Sequence, residues 1–88
     1  MENYEVIFSH KAAKAFDGFA RDLQTRMAAK IDALVTEPRP TGCEKLTGFK
    51  NAYRIRVGDY RIVYAVDDLR GVVSIDRIAH RRDVYRRS

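Results

Sequence analysis

Arg54, Arg56 and Arg61 fall in one run, Tyr53-Arg54-Ile55-Arg56-Val57-Gly58-Asp59-Tyr60-Arg61-Ile62-Val63-Tyr64. Side chains of an extended chain alternate between two faces. Arg54 and Arg56 therefore share one face, while Tyr53, Ile55 and Val57 share the other. Tyr60, Ile62, Tyr64 and Val66 go together, and Arg61 goes with Val63 and Ala65. A two-residue Gly58-Asp59 turn pairs Val57 with Tyr60, which sets Arg56 across from Arg61. Like charges directly opposite cost a sheet a few tenths to ~1 kcal/mol. Guanidinium groups are planar forks that fit phosphate oxygens. The pattern reads as an anion site in which the three arginines grip phosphate. The competing reading is an ordinary solvent-facing sheet with its long side chains spread apart.

A second group follows in Ile78-Ala79-His80-Arg81-Arg82-Asp83-Val84-Tyr85. The third strand of the region runs into it, so His80 or Arg81 is expected close to Arg61. A histidine with arginines and a tyrosine beside a phosphate suits general acid–base work with charge stabilisation, as phosphoryl transfer requires. Tyr85 is either a core anchor for the tail or a residue that stacks on bases. The sequence holds no Gly-rich phosphate loop, nucleophile elbow or metal-ligand cluster, so no metal and no cofactor is expected. Cys43 stands alone, which leaves neither an internal disulfide nor a cysteine metal site.

These side chains need a scaffold, and the apolar pattern outlines one. Tyr4, Val6 and Phe8 alternate with Glu5, predicting a first strand. Ser9 is placed to cap a helix over His10–Phe16, with Gly18 as its stop. Leu23, Met27, Ile31, Leu34 and Val35 then form one stripe at helical spacing, ended by Pro38 and Pro40. Thr41 to Lys50 is turn-rich. Three strands follow over Ala52–Val57, Tyr60–Asp67 and Val72–Ala79, joined by short turns. The C-terminal stretch is one helical turn or a loose tail. The fold class is α+β: an N-terminal strand, a helical hairpin, then three to four antiparallel strands, with both helices on one sheet face.

The chain has 88 residues, with 45% hydrophobic and 33% charged side chains. That length supports one domain over residues 1–88 and a small core. The longest apolar run, Ile62 to Val66, is far too short to span a bilayer, so no membrane partner is expected. The N-terminus, with Glu2 and Glu5, lacks the basic and apolar pattern of a signal peptide, so the cytoplasm is the expected compartment. The net charge of +5 lies entirely in residues 50–88, which carry ten basic and five acidic side chains against seven of each in residues 1–49. Nine of those ten cations are Arg. Such an excess marks a surface for nucleic acid or an acidic partner, or a solubilising surface.

Lys45-Leu46-Thr47-Gly48, the Tyr53–Tyr64 run and His80-Arg81-Arg82-Asp83-Val84-Tyr85 together resemble the RelE/ParE toxin superfamily, and the element order fits over nearly the whole chain. The resemblance implies a RelE-like, microbial-RNase-like fold and a toxin of a type II toxin–antitoxin pair. RelE-type members act in the ribosomal A site and cut mRNA by attack of a ribose 2′-OH on the adjacent phosphate. ParE-type members instead poison DNA gyrase without such chemistry, and a degenerate toxin would only bind its antitoxin. The resemblance implies partners as well: a cognate antitoxin covering the basic surface with acidic or apolar segments, and the ribosome with its mRNA. Arg61 matches the arginine that stabilises the scissile phosphate, Arg81 a second arginine of that site, and Tyr85 a tyrosine that stacks on or orients the substrate. Arg54 and Arg56 stand where some members carry lysines, one of them proposed as the base. Arginine is a poor base at neutral pH, its pKa lying above ~12. Either Arg56 only neutralises charge or His80 supplies the acid–base function, as histidines at similar places do in some members; with His80 the expected catalytic set is Arg61, Arg81, Tyr85 and His80. Lys45, Arg54, Arg56 and Arg82 are the expected RNA- and phosphate-binding residues.

Overall fold

The computed structural model describes residues 3–84. The order is β1 (Glu5–Phe8), α1 (His10–Asp17), α2 (Arg21–Ala33), β2 (Glu44–Lys45), β3 (Ala52–Val57), β4 (Tyr60–Asp67), β5 (Val72–His80) and α3 (Arg81–Val84). The strands form one sheet in the order β1-β5-β4-β3-β2. The α+β expectation holds, with two refinements. The turn-rich stretch contributes a short strand, β2, antiparallel to β3. The first strand pairs parallel to β5, which the helical hairpin makes possible by carrying the chain back across the sheet.

Each element follows from local chemistry. Ser9 caps α1 by accepting the Ala12 N–H at 3.0 Å, and its hydroxyl donates to the Asp76 carbonyl at 2.6 Å. Gly18 ends α1 in right-handed geometry, φ −85°, so its stop does not depend on a left-handed glycine. The α2 stripe buries Met27, Ile31 and Leu34 against Tyr53, Ile55, Val57, Ile62, Tyr64 and Val66 of the sheet. Tyr64 carries its hydroxyl into this core, where it donates to the Pro38 carbonyl at 2.7 Å. Burial pushes that hydroxyl's pKa up.

The β3–β4 register pairs Val57 with Tyr60 and Arg56 with Arg61, as a two-residue turn requires. Gly58 takes φ +60° at the first turn position and Asp59 does not follow it to positive φ, the geometry of a type II′ hairpin. Against β5, the β4 ladder shifts register between Val63 and Tyr64. Val63 faces Arg77 and Tyr64 faces Ile75, leaving Asp76 as the extra residue of a bulge. Ser9 holds the carbonyl of this bulged residue.

A clasp closes the far end of the sheet. Arg39 donates to both oxygens of Asp68, at 3.2 and 2.7 Å, and to the Tyr53 hydroxyl at 2.9 Å. The Tyr4 hydroxyl donates to Asp68 at 2.6 Å. Among the described residues, no helix is long and apolar enough to cross a membrane.

Candidate nucleic-acid interface

The helices cover one face of the sheet. The other face carries Arg54, Arg56 and Arg61, brought together by the β3–β4 register. Arg56 lies directly across from Arg61. Arg54 donates through Nε to Glu44 Oε1 at 2.6 Å, a bond that the β2–β3 pairing sets up by placing Glu44 opposite Arg54. That bond holds the Glu44 carboxyl below its usual range, with the charges of Arg54, Arg56 and Arg61 adding to the effect. All three arginines thus act on one carboxylate, so their fields overlap on this face. Arg61 folds back over the hairpin, donating through Nη1 to the carbonyls of Tyr60 at 3.1 Å and Gly58 at 3.5 Å.

The same turn anchors the C-terminal group. The Arg81 backbone N–H donates to the Asp59 carbonyl at 2.7 Å, which starts α3 beside the hairpin tip. Arg81 and Arg82 are both exposed there. The sheet arginines and the first turn of α3 therefore meet at one end of the sheet.

Of the two residues expected near Arg61, Arg81 lies at the hairpin, whereas His80 is turned to the other face of the sheet. Arg61 faces Ala79 across the β4–β5 ladder, while His80 faces Tyr60. The His80 ring packs edge-on against Tyr60, with centroids 5.4 Å apart, and Tyr60 packs likewise against Phe19 on the helix side. His80 Nδ1 accepts the Arg82 N–H at 3.3 Å, a cap for α3. The cause is the bulge at Asp76. Uninterrupted alternation from Ser74 would bring residue 80 onto the arginine face. One inserted residue inverts the phase and turns Ile78 and His80 toward the helices.

The inversion brings Arg77 onto the arginine face, opposite Val63. Sequence reasoning missed it, although the spacing of buried Val73, Ile75 and Ile78 breaks from two to three at that point. Arg54 and Arg77 flank a groove of about 770 Å³ with an apolar floor that includes Ala52, Val63 and Ala65. Phe49, 65% exposed, and Ile7 line its rim. Lys45 is exposed and pairs with Tyr53, so its register is that of the helix face rather than that of Arg54. Tyr85 lies outside the described residues.

A family model for the ParE toxin of type II toxin–antitoxin system, parDE, matches residues 6–85. The chain is 38% identical over 76 residues to Toxin RelE of Mycobacterium tuberculosis (strain ATCC 25618 / H37Rv), covering 76% of this chain and 77% of that protein. Its fold is similar to the archaeal RelE–RelB complex from Pyrococcus horikoshii OT3, with TM-score 0.78, 28% identity, and 90% of this chain and 96% of that one covered. It is also similar to the intact E. coli RelBE toxin–antitoxin complex, with TM-score 0.79, 25% identity, and 88% and 95% of the two chains covered.

Proposed function

The chain belongs to the RelE/ParE superfamily, the toxins of type II toxin–antitoxin systems, and on that premise we propose that it is a ribosome-dependent mRNA endoribonuclease. The observation that carries this reading is the placement of Arg56 opposite Arg61, with Arg81 anchored to the same turn. Such an arrangement costs stability through like-charge repulsion and is suited to a group carrying several negative charges.

In this reading the 2′-oxygen of the substrate attacks the adjacent phosphorus as its hydroxyl proton passes to solvent water. The bond from phosphorus to the 5′-oxygen breaks, and that oxygen takes up a proton. The products are a 2′,3′-cyclic phosphate and a 5′-OH. Negative charge grows on the phosphoryl oxygens at the midpoint, where Arg61 and Arg81 stabilise it. Arg54, Arg56 and Arg82 hold flanking phosphates, and Tyr85 stacks on or orients a base. Arg56 cannot act as an effective base, and the His80 ring is turned to the other face. Rate therefore comes from alignment of the 2′-oxygen with its phosphate and from arginine electrostatics.

A cognate antitoxin is the second partner. The relatives include RelE toxins bound to RelB antitoxins. The apolar floor between Arg54 and Arg77 suits a segment with apolar and acidic side chains.

The match to the ParE model supports one other reading, a protein that inhibits DNA gyrase by binding alone. One experiment separates the two. Purified toxin is added to mRNA on programmed ribosomes, to free mRNA, and to a gyrase supercoiling reaction. The endoribonuclease reading expects cleavage on the ribosome, with cyclic-phosphate and 5′-OH ends, and undisturbed supercoiling. Intact mRNA with blocked supercoiling supports the gyrase reading instead.

A further inference from the structure

Behind the arginine hairpin, a second cluster of cations occupies a cleft of about 440 Å³ between α2 and the end of β3. Arg26 and Lys30 come from α2 and Arg56 from β3, with Ala29, Val57 and Gly58 completing the lining. The cleft exists because β2 pairs with β3 only through Tyr53 and Arg54, so no described strand covers the edge at residues 55–57. Arg26 and Lys30, one turn apart on α2, present like charges on one helix face, an arrangement that costs ~0.2–0.5 kcal/mol.

Two further observations mark the cleft as built for an anion. Among the described residues, none of Arg26, Lys30 and Arg56 lies in an ion pair within 4 Å. Asp22, one turn before Arg26, instead accepts the Leu23 N–H. The Arg26 guanidinium also lies over the hairpin tip, its Nη2 2.8 Å from where a Cβ on residue 58 would stand. Glycine at this turn therefore serves the positive φ and leaves room for the guanidinium beside Arg56.

We propose that Arg26, Lys30 and Arg56 form a second phosphate subsite, which takes a further backbone phosphate of the RNA strand held by Arg61 on the far side of the hairpin. The inference rests on the RNA-cleaving reading and extends it. The strand passes around the hairpin tip, and Arg56 bridges the open face and the α2 cleft. Arg26 and Lys30 are positioning residues, remote from the reacting atoms.

The test uses the full chain and its Arg26→Gln/Lys30→Gln variant. Both side chains are exposed and glutamine keeps comparable helix propensity, so the fold should persist. A Lys14→Gln/Arg70→Gln variant removes the same charge on α1 and in the β4–β5 turn. Binding of a short single-stranded 2′-O-methyl RNA, which cannot be cut, is measured across a salt series. The subsite expects the slope of log K against log salt to fall by about 0.7–1 in the α2 variant relative to the control, for every RNA sequence. In single-turnover cleavage on ribosomes the half-saturating concentration should rise while the saturating rate stays constant. Equal slopes and affinities in the two variants would overturn the subsite, as would a wild type that does not bind the RNA. A slope difference between the two variants, together with a wild type that leaves ribosome-bound mRNA intact, would support the subsite and overturn the cleavage reading alone.

Discussion

Replacing Arg61 by alanine should separate activity from stability, and the structure sets both magnitudes. The substitution relieves the like-charge pair with Arg56, a gain of a few tenths to ~1 kcal/mol. It loses the long contacts to the Gly58 and Tyr60 carbonyls, at 3.5 and 3.1 Å. A typical hydrogen bond contributes ~0.5–1.5 kcal/mol net, and these are partly open to water. The two effects nearly cancel, leaving a change within about 1 kcal/mol, which shifts the Tm of a domain this size by at most ~8 °C. Transition-state stabilisation has no such compensation. Removing one donor aimed at the developing charge costs ~2.7–4 kcal/mol, or about 10²–10³ in rate. Single-turnover cleavage of ribosome-bound mRNA, paired with thermal unfolding of the same preparation, reads both. A folded variant that cuts within threefold of the wild-type rate would refute the placement of Arg61 at the scissile phosphate. So would a rate loss matched by unfolding.

Three further expectations follow from other parts of the fold. His80→Ala should lose about 1–3 kcal/mol of stability from the Tyr60 ring contact and the α3 cap. Its cleavage rate should fall far less than the ~10²–10⁴ of a lost acid–base group, and the pH–rate profile should keep its shape. Asp68 has its carboxyl pKa lowered, first by the Arg39 hydrogen bonds and then by that from Tyr4. Its contribution is therefore complete above its ordinary 3.8 and lost as the pH falls through the depressed native value. Urea unfolding of Asp68→Asn in acid and at neutral pH should accordingly show a shallower acid loss than the wild type. Met27→Ala, at a fully buried position on α2, should cost ~2–5 kcal/mol in the same assay.

Much of this arrangement was legible in the residues. Period-two alternation on either side of Gly58-Asp59 suffices to fix β3 and β4, their register and the Arg56–Arg61 opposition. The α2 stripe gives Met27, Ile31 and Leu34 as core because helical spacing and burial coincide there. The misorientation of His80 and the omission of Arg77 share one physical origin, in that strand phase is set by ladder pairing as well as by composition. A single bulge at Asp76 moves His80 off the arginine face and brings Arg77 onto it, and the bulge itself is held by a serine at the start of α1, remote in sequence. Glu44 and Lys45 carry too little pattern to announce a strand, so β2 and the Glu44–Arg54 bond emerge only with the sheet assembled. The α2 cations read as a solvated helix face until the fold sets Arg56 beside them.

In the proposed mechanism the RNA supplies its own nucleophile and the arginine face stabilises the phosphate it attacks. Placing a single 2′-deoxynucleotide at the mRNA position cut on the ribosome tests this directly. Toxin and ribosome should bind that message as before, and cleavage at that position should cease. Cleavage there at an undiminished rate would show that another nucleophile is at work, and would contradict the mechanism.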